Sequence, residues 1–154
     1  MYIENSLDAL FWECKTKQKV LQEIVRKKYP WFAPFETFRT RARQAWLYSQ
    51  LKGRWPVAKA GTSYHEKWLA VDRIFLNTKW QPTWKGDYNY VKMISGMCGL
   101  VGVAGESCHI QTDKRLIRIV MQNNSDRYKK SKLWREQKLL SELNTCFRKY
   151  WFSS

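Results

Sequence analysis

His65 and His109 are the only two histidines in this 154-residue chain, and each has a carboxylate close to it in sequence. Asp72 follows His65 by seven residues, and Glu106 precedes His109 by three. Two imidazoles and one carboxylate are a common ligand set for a catalytic zinc, because three protein ligands leave a fourth position open to water. An ion so held lowers the pKa of water to ~7 and polarises a carbonyl oxygen. A further carboxylate, for which Glu106 is the candidate, can take the proton and pass it to a leaving amine. The plainer reading of each histidine is a hydrogen-bonded core residue, and two histidines with two acids are not a motif by themselves. Cys108, next to His109, could join a site. Neighbours on a strand face opposite ways, so it is expected to point away from whatever His109 holds.

Longer runs narrow these alternatives. Ser63-Tyr64-His65-Glu66-Lys67-Trp68-Leu69-Ala70-Val71-Asp72 resembles the S-x-H-x-x-G-x-A-x-D motif of a family of zinc peptidases acting on peptidoglycan, with four of its five fixed positions matched. That family includes phage L-alanyl-D-glutamate endolysins, D-alanyl-D-alanine carboxypeptidases and the dipeptidases of vancomycin resistance. Glu106-Ser107-Cys108-His109 is similar to its second element, an acid three residues before a histidine. Upstream, Thr37-Phe38-Arg39 and then Gln44-Ala45-Trp46-Leu47-Tyr48 resemble its T-x-R and Q-x-x-L-Y.

The resemblance implies zinc held by His65, Asp72 and His109, Glu106 as general base, and Arg39 as the arginine that steadies a developing oxyanion or a substrate carboxylate. A planar, permanently charged guanidinium suits that task because it donates two hydrogen bonds at once. Ser63 would orient the site or the substrate. The resemblance further implies hydrolysis of an amide in the peptidoglycan stem peptide. Gly61-Thr62-Ser63-Tyr64-His65, similar to the phage endolysin branch, favours L-alanyl-D-glutamate over D-alanyl-D-alanine. Two positions depart from the pattern. Trp68 stands where the family has glycine, and a large indole beside the metal-bearing strand is expected to narrow or reshape the cleft. Cys108 stands where the family often has tryptophan, which removes a wall residue.

These side chains need elements to position them. Over 6–28 apolar residues recur at Leu7, Leu10, Phe11, Cys14, Leu21, Ile24 and Val25, a helical spacing that Asn5 or Ser6 could cap and Pro30 ends. A second helix is expected over 40–51, closed by Gly53 and Pro56. From Trp68 to Phe75 the residues alternate as on a strand, 79–87 reads as a loop, and 88–100 as a helix that fades into a glycine-rich run. Strands are expected at 106–111 and 115–122 with a turn between, then a loop over 123–132 and a helix over 133–151. The order suggests an α+β domain, a small antiparallel sheet packed by helices. The resemblance makes it the D-alanyl-D-alanine peptidase or hedgehog fold. A single domain, 1–154, would have a catalytic core at 29–122 and a basic loop and amphipathic helix at 123–154.

Composition limits the partners. A net charge of +15, from 28 Lys and Arg against 13 Asp and Glu, draws the molecule to polyanions. Anionic envelope polymers and nucleic acid both fit that charge. A nucleic-acid role requires the histidine and acid pattern to be coincidence, and no specific nucleic-acid partner is expected. Beyond residue 113 eleven Lys and Arg face three Asp and Glu, partly on the last expected helix. That helix either docks its apolar face and leaves its cations in water or settles at an anionic interface. Cys14, Cys98, Cys108 and Cys146 form no C-x-x-C pair and are expected as free thiols. Without a secretion signal or a transmembrane run of ~18–20 apolar residues, the chain would be made in the host bacterial cytoplasm. It would act on the wall as a phage or prophage endolysin or as a virion-associated lysin. The other reading on the same fold is a wall-binding or structural virion component weakened in catalysis through Trp68.

Overall fold

The apolar face at the chain's start winds into a helix, α1 (Trp12–Lys28), in this computed structural model, which describes residues 3–113 and Ser141. The expected start at residue 6 is interrupted. Leu7–Ala9 form a separate 3-10 turn capped by the Ser6 hydroxyl, which accepts from the Asp8 amide, and α1 begins only at Trp12. The buried stripe of α1 includes Cys14, Leu21, Ile24 and Val25 together with two polar residues, Thr16 and Gln18. Leu21 and Val25 are wholly buried, and each such side chain contributes about 1.5–3 kcal/mol to folding.

After Pro30 the chain enters β1 (Phe32–Glu36), and then α2 (Arg41–Leu51), whose Thr40 hydroxyl caps the Arg43 amide. A second 3-10 turn, His65–Lys67, leads into β2 (Ala70–Leu76). The short β3 (Pro82–Thr83) lies inside the stretch expected as loop and pairs with β2. Next come α3 (Tyr88–Met97), β4 (Leu100–Gly102) and β5 (His109–Thr112). Thus part of the glycine-rich run after α3 is a strand. The expected strand at 106–111 begins at His109 and leaves Glu106 in the preceding loop.

The sheet is antiparallel, ordered β1-β2-β5-β4, with β3 also on β2. The α+β architecture expected from the element order is therefore present. Register sets the site. Asp72 on β2 faces His109 on β5 as a cross-strand partner, and Glu36 on β1 faces Asp72 from the other side. Partners across a sheet share a face, so the three lie in one row. A bulge between Pro34 and Glu36 inserts Phe35 into β1. Without that extra residue Phe35 would stand opposite Asp72. The central strand is buried on both faces rather than alternating with solvent. Among its buried side chains is Arg73, fully enclosed, which donates to the side chains of Gln18 (2.6 Å) and Gln22 (2.7 Å) and to the Gln18 carbonyl.

The expected strand at 115–122, loop at 123–132 and helix at 133–151 lie outside the described residues. Among the described residues no helix is long and apolar enough to cross a membrane. Cys14, Cys98 and Cys108 are free of disulfides.

Candidate metal centre

Three elements deliver three side chains to one point. His65 opens the 3-10 turn before β2, Asp72 lies within β2, and His109 begins β5. His65 Nε2 lies 3.2 Å from His109 Nδ1 and 3.2 Å from Asp72 Oδ1, and His109 Nδ1 lies 3.0 Å from the same Oδ1. Bonds of ~2.0 Å from a tetrahedral ion give ligand atoms about 3.3 Å apart, close to this triangle.

Hydrogen bonding decides which atoms carry protons. His65 Nδ1 is 2.8 Å from the Thr37 carbonyl, which can only accept, so the proton sits on Nδ1 and Nε2 presents a lone pair. His109 Nε2 donates to Gln111 Oε1 at 2.9 Å, which leaves the Nδ1 lone pair facing inward. Two lone pairs and a carboxylate oxygen thus meet within 3.2 Å. Such a set repels itself unless a cation or proton lies among them. The donor set fits a metal ion, and each imidazole has the orienting partner on its far nitrogen that metal-ligating histidines use.

The surroundings hold Asp72 in the charged form. Burial alone would raise its pKa, but when a proton takes an ion's place among these atoms the charge and hydrogen bonds of His65 and His109 outweigh this and hold the carboxyl well below its ordinary 3.8. Arg39 grips the other oxygen, Oδ2, at 2.9 Å. Its guanidinium is nearly spent: Nε and Nη2 also donate to Glu36 Oε2 (3.0 and 2.5 Å), and Nη1 donates to Gln44 Oε1 (2.8 Å). Four of its five N–H groups are so engaged, which makes Arg39 a support for Asp72 with one donor left over. Glu36, itself buried, is shared by Arg39 and Arg43.

Glu106 approaches from the loop, its Oε2 3.7 Å from His109 Nδ1. Burial, with a smaller push from Asp72, raises its pKa above the ordinary 4.5 despite the opposing pull of His109, His65 and Arg39. Ser63 is buried, and its hydroxyl accepts from the His65 amide at 3.3 Å, so it fixes the turn that carries the histidine. Glu66 reinforces that turn, its carboxylate accepting from the amides of Gly61 (2.8 Å) and Ser63 (3.3 Å).

A cleft of about 450 Å³ opens on this cluster, bordered by Arg39, Arg43, Ser63 and Glu106. Two expectations about its walls are corrected. Cys108 precedes β5, so strand alternation does not turn it away, and it lines the cleft. Burial, then the charge of Asp72, pushes its thiol up to about 12, which keeps it neutral. Trp68 does not line the cleft. It caps the 3-10 turn with φ 57°, in the left-handed region that favours glycine, and stacks on Phe38 with ring centroids 5.1 Å apart and planes 8° from parallel. Glycine suits that position for its backbone, and the indole is accommodated outside the site.

Glu36, Gln44, Glu66 and Gln111 went unassigned in the sequence. Gln111 was within reach, because a residue two beyond His109 on a strand shares its face. The Thr37 carbonyl leaves no side-chain signature to find.

No protein-family model and no curated protein matches the chain. Among solved structures it is similar to the LdcB LD-carboxypeptidase, at 20% identity and a TM-score of 0.52, over 75% of this chain and 64% of that one. It is similar also to the Serratia marcescens L-Ala D-Glu endopeptidase ChiX, at 17% identity and a TM-score of 0.52, over 72% of this chain and 86% of that one. The vancomycin-resistance D,D-dipeptidase VanXYg, solved with a D-Ala-D-Ala phosphinate analogue, matches at 15% identity and a TM-score of 0.50, over 78% of this chain and 57% of its own. The chain spans less than two thirds of the length of the first and third. Its fold is the one these peptidases share, as the motif resemblance implied.

Proposed function

We propose that the protein is a zinc-dependent peptidase that hydrolyses an amide bond in the stem peptide of peptidoglycan, L-alanyl-D-glutamate in preference to D-alanyl-D-alanine. The observation that carries this reading is the inward triangle of His65 Nε2, His109 Nδ1 and Asp72 Oδ1 with Glu106 at its edge. The fold shared with the carboxypeptidase, the endopeptidase and the dipeptidase supports the substrate class.

His65, Asp72 and His109 would hold the ion, and zinc bound there supplies Lewis acidity toward the scissile carbonyl and a lowered pKa for water. Glu106 takes a proton from the attacking water on its carboxylate and delivers it to the departing amine. Its raised pKa suits both halves of that task, since a base poised nearer neutrality also gives its proton back. Arg39 keeps Asp72 aimed, and its remaining Nη1 donor is available to a substrate oxygen. Ser63 holds the His65 turn. In this reading the chain serves a phage or prophage as an endolysin or virion-associated lysin, reaching the wall from the host cytoplasm. Its cationic surface is attracted to anionic envelope polymers.

Isolated sacculi incubated with the zinc-loaded protein, followed by mass analysis of the released fragments, test it. New amino-terminal D-glutamate is the expected product. Intact stem peptides after incubation with the fully metallated protein overturn it.

A further inference from the structure

Past Glu106 the cleft continues into a second hollow of about 640 Å³, bordered by Trp55, Pro56, Trp84, Tyr88, Glu106 and Cys108. Trp55, Pro56, Glu106 and Cys108 border both spaces, so whatever occupies the hollow is continuous with whatever occupies the cleft. The two ends differ in chemistry. The cleft proper carries Arg39 and Arg43, whereas no lysine or arginine lines the hollow among the described residues. Its exposed large apolar side chains are two indoles, Trp55 at 66% and Trp84 at 55% exposure.

Large exposed indoles are costly to leave in water and mark contact surfaces. Trp84 moreover packs on one side against the Phe35 ring, edge to face at 5.1 Å. Phe35 is the residue the β1 bulge inserts, and it lines the cleft. An exposed ring already packed on one side has less freedom to lose when a ligand covers the other.

Resting on the function proposed above, we infer that this hollow is a saccharide subsite that takes the muramyl sugar bearing the stem peptide. In peptidoglycan the first residue, L-alanine, is joined directly to the lactyl group of that sugar. A bond cut just after this alanine lies one residue from the sugar, a reach of ~3.5 Å plus the lactyl arm, so the sugar must fall beside the ligand cluster. A pyranose offers a neutral ring with an apolar C–H face, which matches an uncharged indole wall. The D-glutamate on the other side of the bond carries the carboxylate, which matches the end lined by Arg39 and Arg43. The hollow's size is that of a small-ligand site. A cut at the far D-alanyl end of the stem would leave the sugar several residues away and the hollow without this occupant.

Two measurements test the assignment. In the first, zinc-loaded protein cleaves N-acetylmuramyl-L-alanyl-D-glutamyl-lysine and the same peptide N-acetylated in place of the sugar. The muramyl substrate is expected to show the higher kcat/KM by about tenfold, carried in KM. That ratio collapses toward unity in Trp55→Ala and Trp84→Ala and is retained in Trp80→Ala, an exposed indole away from the hollow. In the second, the indole N–H resonances of Trp55 and Trp84 in the metal-free protein are followed while N-acetylmuramyl-L-alanine is added. Both move, and that of Trp80 does not. An unchanged ratio in both variants, or still resonances at Trp55 and Trp84, overturns the subsite. If neither substrate is cut, the proposed activity falls, and the resonances alone decide whether a saccharide binds.

Discussion

Arg39 holds Asp72 by Oδ2 at 2.9 Å while both imidazoles face Oδ1 of the same carboxylate. One oxygen is anchored and the other is presented. Losing the anchor should cost metal affinity before it costs anything else. Arg39→Lys keeps the charge but loses the planar fork that reaches Asp72, Glu36 and Gln44 together. Zinc affinity is expected to fall 10- to 100-fold, the usual effect of removing a partner behind a ligand, or about that range. Competition with a chromophoric chelator measures it, and wild-type affinity in the variant removes Arg39 from the ligand-supporting role.

Glu106→Gln preserves shape while removing the proton acceptor. Turnover is expected to fall by about 10²–10⁴, with zinc still bound at one equivalent by elemental analysis. His65→Ala, by contrast, should lose the metal itself. A Glu106→Gln protein that cleaves at the wild-type rate would exclude this side chain as the base.

The metal-free protein should respond to pH in the opposite sense to its zinc affinity. Burial lowers the pKa of His109, but the hydrogen bond and charge of Asp72 outweigh it and raise it above 6.5. A raised folded pKa means the stabilisation is complete below pH 6.5 and fades as pH climbs through the folded value. For Asp72, held well below 3.8, it is present above 3.8 and fades as pH drops through the folded value. Stability without metal therefore peaks between about pH 4 and 6.5. Zinc needs neutral imidazoles, so its affinity grows over the range where the metal-free form weakens. Thermal melts with zinc and with a chelator should separate further from pH 6 to pH 8, and a gap of constant width contradicts the shared site.

Trp68 makes a separate prediction about stability. Its left-handed backbone costs about 1–2 kcal/mol, and its stack on Phe38 returns about 0.5–1.5 kcal/mol. Trp68→Gly sheds both and should leave stability within about 1 kcal/mol of wild type. Trp68→Ala keeps the strain and loses the stack, so it should be the less stable of the two in urea unfolding. The reverse order would mean the indole is held by something other than Phe38.

The grouping of His65, Asp72 and His109, with Glu106 at its edge, was legible because these residues sit in runs whose residue types and intervals match a known motif. Strand alternation then misled at both ends. It treated Cys108 as part of β5 and Trp68 as part of β2, where the chain is in fact turning. The bulge at Phe35 and the row Glu36, Asp72 and His109 depend on long-range pairing that local patterns do not encode. Arg73 shows the same limit. An arginine in a strand reads as a solvent-facing residue, yet here Gln18 and Gln22 of α1 supply buried acceptors for it. Only packing of α1 on the sheet reveals why those glutamines are polar.

The pairing of Asp72 with His109 also ties chemistry to strand alignment. Sliding β5 by a single position would send the imidazole and the carboxylate to opposite sides of the sheet. The cluster can therefore assemble only after these strands have zipped in the right frame, and an ion captured there rivets that frame. Amide hydrogen exchange across 70–72 and 109–111 should slow when metal is added, making cation uptake a late, locking event in the maturation of the polypeptide.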